Sequence, residues 1–400
     1  MVLASFCLSF TLQSVLAQAL NPQVVQVPMR DGKELAADIY LPADTGSFPV
    51  ILIQTPYIRL AFRSIGLPLG IDKDLAGSPY AFVIADWRCF YGSAAACKVD
   101  ANRGEDGYDL VEWIATQSWC NGKIGLWGPS ALGNVQFQTA REQPPSLTCM
   151  VPLVSDASFD YLEYFPGGMA RTEYIEQLDG LGFNFSRLLY ANPVHNLTWD
   201  IAEAATTYSD RIKVPVLMIG GWYDHNADAM VRQFGELRSV SDEAVRSQHR
   251  LLMGPWAHGG AGPAQVGTAR QGELSFPNAA GWHDSLAIRF FDYYLRDMDN
   301  GWPNTPPVTF YQIGENYWDS SEIFPPEAKS SSEFYLAENG RLSPGQPAEL
   351  RTFQFAYDPN DPSPTHGGAT LRADLLQGPY DQSQVVESRT DNVRFTSDEL

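Results

Sequence analysis

The segment that most constrains this chain is residues 124–137, where an apolar run leads into Gly128 and Ser130 and is followed by helix-forming residues. The pattern predicts a strand, a sharp turn and a helix, with the serine at the bend. A serine in such a turn has strained backbone angles, and its neighbours need little or no side chain. Gly128, Ala131 and Gly133 meet that requirement. The segment therefore predicts a nucleophile elbow.

Strand-like apolar runs alternate with helix-like segments along most of the chain. A hairpin around Asp31-Gly32 is predicted first, and buried strands should follow at residues 49–54, 80–85, 124–127, 149–154, 215–220 and 250–253. Helical spacing marks residues 105–116 and 278–297. Strands that alternate with helices predict an α/β fold with a mostly parallel sheet covered on both faces.

Two regions depart from this alternation. Residues 155–213 are rich in aromatic and helix-forming residues without a strand pattern, which predicts a helical cap inserted between two strands. From residue 305 onward, short β-rich runs broken by proline and glycine predict an all-β sandwich. The expected organisation is an α/β domain over residues 20–304, with its cap at about 155–213, and a β-sandwich over residues 305–400 that the chain leaves incomplete.

Residues 1–19 are uncharged and end in Ala17-Gln18-Ala19, a small-x-small pattern. This predicts a secretory signal peptide and a secreted or periplasmic protein, without a membrane anchor after cleavage. Four cysteines then remain, and an even number in an exported chain indicates disulfides with three possible connectivities. Cys89 and Cys97 lie in one loop and form the most plausible pair.

Charge narrows the partners of the protein. The formal net charge is −20 over 400 residues, from 27 basic and 47 acidic side chains. Nucleic acid and anionic membrane surfaces would be repelled, so neither is expected as a partner. No cysteine lies in a zinc-type ligand cluster, and neither a metal nor an organic cofactor is implied.

Two further loops carry residues that could activate Ser130. A serine hydroxyl needs a base to take its proton, and the base needs a carboxylate to orient it. Asp224 follows the predicted strand at 215–220, and His258 lies in a glycine-rich loop after the strand at 250–253. Their order along the chain, Ser, Asp and His, is that of hydrolases built on such a sheet. His225 is less well placed as the base, since its loop would have to supply both acid and base.

Hydrolysis also requires hydrogen-bond donors for the developing oxyanion. The amide of Ala131, directly after the serine, is one candidate. Tyr57 follows an early strand, and its phenol hydroxyl is the second.

Several short motifs lie in the same order along nearly the whole chain: Met29-Arg30-Asp31-Gly32, Thr55-Pro56-Tyr57, Asp86-Trp87-Arg88, Glu105-Asp106-Gly107-Tyr108-Asp109, the elbow, Gly221-Trp222-Tyr223-Asp224 and Gly254-Pro255-Trp256-Ala257-His258. Together they resemble the family that includes cocaine esterase, glutaryl acylase, α-amino acid ester hydrolases and X-Pro dipeptidyl peptidases. The resemblance implies an α/β-hydrolase core, a helical cap and a C-terminal jelly-roll-like domain. It also implies Ser130, Asp224 and His258 as the triad, with Tyr57 and the Ala131 amide as the oxyanion hole. Ala131 replaces the tyrosine that is usual in the family.

The sequence thus predicts a serine hydrolase that cleaves a small-molecule ester, amide or short peptide through an acyl-enzyme. An X-Pro dipeptidyl peptidase is the alternative within enzymes, and a non-catalytic carbohydrate-binding protein is the alternative of another class. Asp160 and Glu163 could bind a substrate amine, although solvated helix carboxylates explain them more simply. The sequence leaves the oligomeric state open, a homo-oligomer included.

Overall fold

The computed structural model describes residues 20–259, 265–327, 331–349, 351–372 and 374–398. The predicted signal peptide, residues 1–19, lies outside these ranges. Among the residues within them, no helix combines the length and apolar character needed to cross a bilayer.

A sheet of ten strands forms the centre of the molecule, with strand order β1-β2-β4-β3-β5-β6-β7-β8-β11-β12. Neighbouring strands from β4 to β11 in this order run parallel, whereas β1, β2 and β12 pair antiparallel. The strands are β1 (Gln23–Pro28), β2 (Glu34–Tyr40), β3 (Phe48–Thr55), β4 (Ala81–Asp86), β5 (Cys120–Pro129), β6 (Leu147–Leu153), β7 (Leu217–Tyr223), β8 (Arg250–Ala257), β9 (Arg270–Gln271), β10 (Leu274–Ser275), β11 (Val308–Gln312), β12 (Tyr317–Ser321), β13 (Tyr335–Ala337) and β14 (Arg341–Ser343). The α/β class and the opening hairpin are confirmed.

Helices cover both faces of this sheet. They are α1 (Phe62–Ile65), α2 (Arg103–Ala115), α3 (Ala131–Arg141), α4 (Tyr161–Tyr164), α5 (Thr172–Gly180), α6 (Ser186–Ala191), α7 (Leu197–Thr206), α8 (Ala227–Val240), α9 (Glu243–Arg246), α10 (Trp282–Arg296) and α11 (Ser383–Val386). Successive residues of a strand point to opposite faces. Val50 and Leu52 therefore join the apolar cluster that holds residues of α2, α3 and α8, while Ile51 and Ile53 join the cluster that holds residues of α10.

The predicted domain boundary at 304/305 is wrong. Strand β11, expected to open a separate β-sandwich, pairs in parallel with β8 through Val308 and Leu251, and β12 continues the same sheet to Ser321. Val308 and Phe310 of β11 are buried in the main apolar cluster of the central sheet, so they do not form the core of a second domain. A short apolar run does not specify its partner strand, and this explains the error.

The expected sandwich is not seen in the described residues beyond 321. They contain one hairpin, β13 with β14, and isolated bridges such as that between Arg341 and Thr396. Residues 352–357 and 393–396, which the sequence predicts as strands, do not form strands, apart from the bridge at Thr396. Phe355 and Tyr357 of the first run are 58% and 60% exposed, so this run packs into no core.

Some motif residues that carry the family resemblance hold the fold together. The buried guanidinium of Arg88 is hydrogen-bonded to Asp106 at 2.9 Å and to Asp31 at 3.0 Å. Immediately after Arg88, a disulfide joins Cys89 to Cys97, as expected. Cys120 and Cys149 are free.

Candidate active site

Ser130 lies at the turn between β5 and α3, with φ 56° and ψ −126°. These angles are strained for any residue with a side chain, and such strain persists only where the surroundings hold it. The Ser130 amide donates to the Leu153 carbonyl at 2.9 Å, and the Ser130 carbonyl accepts from Gly133 and Asn134 at 2.8 and 2.9 Å. The first turn of the helix and the neighbouring strand β6 therefore fix the serine at the bend.

Two glycines make this turn possible. Gly128 has φ 154°, and a Cβ there would lie 2.5 Å from Cβ of Leu132. A Cβ on Gly133 would lie 2.6 Å from Cβ of Ser155. Both distances are far below van der Waals contact, so the close passage of chain on either side of Ser130 requires glycine at both positions.

Asp224 and His258 come together because each directly follows one of two adjacent parallel strands. Tyr223 of β7 is in register with Ala257 of β8, so the next residues of both chains meet at the carboxyl edge of the sheet. His258 Nδ1 lies 2.9 Å from Asp224 Oδ1. The Asp224 side chain is fully buried and that of His258 is 6% exposed.

The electrostatics of Asp224 favour its charged form. Burial alone would raise the pKa of this carboxyl, but the charge and hydrogen bond of His258, together with His225, outweigh burial and hold the pKa well below its ordinary value. An ionised carboxylate that accepts from Nδ1–H fixes the imidazole tautomer and leaves the Nε2 lone pair free to act as a base.

Tyr57 lies in the loop after β3, and its hydroxyl interacts with the side chain of Ser130. Burial raises the pKa of the Tyr57 phenol, while the contact with Ser130 acts in the opposite direction. The phenol therefore keeps its proton at neutral pH and can donate it in a hydrogen bond. The Ala131 amide is the first of helix α3, so it has no acceptor within that helix and is available to a ligand.

The structure thus joins Asp224 to His258 and brings Tyr57 to Ser130. No hydrogen bond between His258 and Ser130 links these two pairs in the described part of the chain. Serine–histidine hydrogen bonds are often long or poorly aligned without substrate and shorten in the complex.

A cavity of about 360 Å³ opens above Ser130 and Ala131. The helices between residues 155 and 213 supply much of its wall. Its aromatic lining from this region consists of Phe159, Tyr164, Tyr174, Phe183 and Phe185. The cavity above Ser130 is therefore largely aromatic on this side.

The two acidic residues of this region have different roles, neither of them that of a solvated helix carboxylate. Asp160 caps α4 by accepting from the Glu163 amide at 3.0 Å and pairs with Arg232 at 2.8 Å. Arg232 thus neutralises the charge of Asp160, and Asp160 does not line the cavity above Ser130. Glu163 does line that cavity and accepts a hydrogen bond from the Tyr174 hydroxyl. The sequence spacing of Asp160 and Glu163, at the start of a four-residue helix, does not indicate which of the two faces the cavity.

His225, which the sequence disfavours as the base, lies beside Asp224 in the structure. His225 Nδ1 lies 3.1 Å from the same Asp224 oxygen that His258 contacts, and the two imidazole centroids are 4.5 Å apart. The only sequence signal for His225 is its position next to Asp224, and that position argues against it as the base. His225 is not placed as the base, since the hydrogen bond to Asp224 is made by His258 Nδ1.

Comparison with known proteins places the chain in a family. The family model described as X-Pro dipeptidyl-peptidase (S15 family) matches residues 31–188 and 169–260. The chain belongs to this family. Cocaine esterase of Rhodococcus sp. (strain MB1 Bresler) is 26% identical over an alignment of 438 positions, which covers 94% of this chain and 74% of the esterase. The protein is thus a serine hydrolase of the S15 and cocaine-esterase type.

Solved structures show the same fold. An aminopeptidase from a marine sediment archaeon, Thaumarchaeota archaeon, aligns with a TM-score of 0.72 at 22% identity, covering 98% of this chain and 74% of its own. An α-amino acid ester hydrolase aligns with a TM-score of 0.68 at 21% identity, covering 95% and 72%. The chain therefore has the α/β-hydrolase fold and spans about three quarters of the length of these proteins.

Proposed function

We propose that the protein hydrolyses an ester or amide through an acyl-enzyme on Ser130, with His258 as general base and then acid, and Asp224 as its orienting carboxylate. The observation that carries this proposal is the buried 2.9 Å contact between His258 Nδ1 and Asp224 Oδ1, at the sheet edge where Ser130 occupies a strained elbow. Strained backbone angles such as those of Ser130 occur mainly at functional sites, where they present a side chain to a ligand.

The reaction would proceed in two halves. His258 Nε2 takes the Ser130 proton as Oγ attacks the carbonyl carbon, and the C=O electron pair moves to oxygen. The imidazolium, stabilised by Asp224, then protonates the leaving alcohol or amine while the acyl–oxygen or acyl–nitrogen bond breaks. In the second half, water attacks the acyl-enzyme, His258 takes its proton, and Ser130 leaves with that proton.

Tyr57 and the Ala131 amide would stabilise the oxyanion of both tetrahedral intermediates. The Tyr57 phenol stays protonated because burial raises its pKa, so it can donate to a developing negative charge. The Ala131 amide adds a second donor at the positive end of helix α3.

Covalent labelling tests this assignment. A fluorophosphonate should attach once per chain, and peptide mapping should place it on Ser130. Ser130→Ala should abolish labelling, whereas Ser155→Ala should retain it, since Ser155 lines the same cavity but is buried. Folded wild-type protein that takes no label, or takes it elsewhere, would refute the proposal.

A substrate with a cationic amine is the second candidate, and it corresponds to the dipeptidyl-peptidase alternative. Asp156 and Glu163 both line the cavity of Ser130, and carboxylates there could hold an ammonium group. Turnover of proline-containing dipeptide amides, compared with simple acyl esters, separates the two. The family and fold give no support to a non-catalytic carbohydrate-binding protein.

We also propose that the protein acts outside the cytoplasm. The uncharged residues 1–19 support export, and the Cys89–Cys97 disulfide suits an oxidising compartment. Edman sequencing of the secreted chain should begin at residue 20.

A further inference from the structure

Two imidazoles share one carboxylate at the edge of the sheet. The Nδ1 atoms of His258 and His225 lie 2.9 and 3.1 Å from the same oxygen, Oδ1 of Asp224. One donor atom from each of these three residues lies within 4.8 Å of the other two. Their side chains are between 0% and 6% exposed, so the cluster is enclosed by protein.

The proposed acyl-enzyme mechanism accounts for only part of this cluster. Asp224 Oδ2 and His225 Nδ1 are buried and have no hydrogen-bond partner within the described ranges, although His225 Nδ1 lies near Oδ1. Buried polar atoms in proteins almost always have partners. Two unpartnered donor atoms beside a third, His258 Nδ1, are what an added ligand could satisfy.

We propose that Asp224, His225 and His258 form an inhibitory binding site for a divalent transition-metal ion of the zinc type. Zinc binds imidazole nitrogen and carboxylate oxygen at about 2.0–2.2 Å, and a tetrahedral arrangement then sets ligand atoms about 3.3 Å apart. His258 Nδ1 and His225 Nδ1 lie 2.9 and 3.1 Å from Asp224 Oδ1, and both distances are close to that spacing. A set of two imidazoles and one carboxylate suits Zn²⁺, Cu²⁺ or Ni²⁺ rather than Mg²⁺ or Ca²⁺.

Occupation of this site would remove the base. A metal on His258 Nδ1 replaces the hydrogen bond to Asp224, and the single proton of the neutral ring then resides on Nε2. A protonated Nε2 has no lone pair with which to take the Ser130 proton, so acylation stops. Only this inhibitory consequence rests on the proposed function, because metal binding itself requires no catalysis.

Zinc binding can be measured directly on the full chain without an affinity tag, by competition with a chromophoric chelator. We expect one tight Zn²⁺ per chain and a loss of affinity of at least ~10-fold in His225→Gln. His195→Gln is the matched control, since His195 also contacts two carboxylates, Asp200 and Glu203, but lies on the surface. Equal affinity in wild type and His225→Gln, or a loss in His195→Gln instead, would overturn the site.

Labelling tests the inhibitory consequence separately. One equivalent of Zn²⁺ should slow fluorophosphonate labelling of wild type at least ~10-fold, and EDTA should restore it. Bound zinc with unchanged labelling would overturn inhibition, whereas no labelling with or without zinc would contradict the proposed hydrolase instead. If His225→Gln does not fold, wild-type Co²⁺ spectra decide: intense tetrahedral visible bands support the site, and weak octahedral bands overturn it.

Discussion

The hydroxyl of Tyr174 lies 2.6 Å from Oε1 of Glu163, inside the cavity above Ser130. Burial, assisted by the negative charge of Asp156, raises the pKa of Glu163 to about 8. The carboxyl is therefore protonated at neutral pH in the absence of a cationic ligand. If the protein acts on the proposed amine substrates, their recognition should depend on pH, because only an ammonium group or a higher pH would ionise Glu163.

This pKa predicts a pH-dependent stability. An unfolded Glu163 loses its proton near its ordinary value of 4.5, whereas the folded group keeps it to about 8. Between these values the folded state binds more protons, so its stability falls as pH rises. From pH 5 to pH 8, wild type should lose about 3–4 kcal/mol relative to Glu163→Gln in urea denaturation. Glu176→Gln, at an exposed position of α5, should follow wild type. Parallel pH profiles for wild type and Glu163→Gln would contradict the buried carboxyl.

Glycine-to-alanine substitutions at two helix positions should differ in effect: one should lower activity and the other should raise stability. A methyl group at Gly133 would meet Ser155 and displace the elbow, so Gly133→Ala should lower kcat by ~10²-fold. Gly235 on α8 has open space around its Cβ position, and Gly235→Ala should add ~0.5–1 kcal/mol of stability by helix propensity. Steady-state kinetics and urea denaturation of both variants measure this. Normal activity in Gly133→Ala would show that the elbow tolerates a side chain.

Removal of the Tyr57 hydroxyl should affect the transition state more than substrate binding. Tyr57→Phe should lower kcat by ~10²-fold with little change in KM, because the donor acts on the oxyanion. Tyr91→Phe is the control, since Tyr91 is 54% exposed on a surface turn. A rise in KM at unchanged kcat would assign Tyr57 to ground-state binding instead.

The Cys89–Cys97 disulfide should contribute to stability through its short loop. The cysteines are separated by 8 positions. Closing such a loop lowers the conformational entropy of the unfolded chain, which raises the free energy of unfolding by about 2–3 kcal/mol. Cys97→Ser should lower the free energy of unfolding by this amount, whereas Cys120→Ser, a free thiol, should change it little. Unfolding curves of Cys97→Ser that match wild type would show that the crosslink is absent or without effect.

The sequence predicted those parts of the fold that depend on local pattern. Ser130, Asp224 and His258 each directly follow a buried parallel strand, and the carboxyl ends of such strands meet at one edge, so their placement at this edge could be expected. The Gly128 and Gly133 positions had a local steric reason. Tyr57 is a candidate donor from its position after an early strand, and the family motifs support the same assignment.

Partner choice and burial could not be predicted in the same way. The sequence of strand β11 does not indicate that it pairs with β8, so a boundary at 304/305 separates two strands of one sheet. Glu163 is surrounded by residues outside its own helix, such as Asp156 and Tyr174, so its burial cannot be predicted from a four-residue helix. His225 was judged by its neighbour Asp224, whereas its contact with His258 arises from two strands brought into register.

The proposed mechanism requires Asp224 and His258 to act on Ser130 as one unit, and a double-mutant cycle on kcat tests this directly. Asp224→Asn and His258→Gln should each lower kcat by ~10³–10⁴-fold. The double variant should be about as slow as the slower single variant, because removing one member already disables the other. Independent losses that multiply in the double variant, or wild-type turnover in either single variant, would contradict the triad.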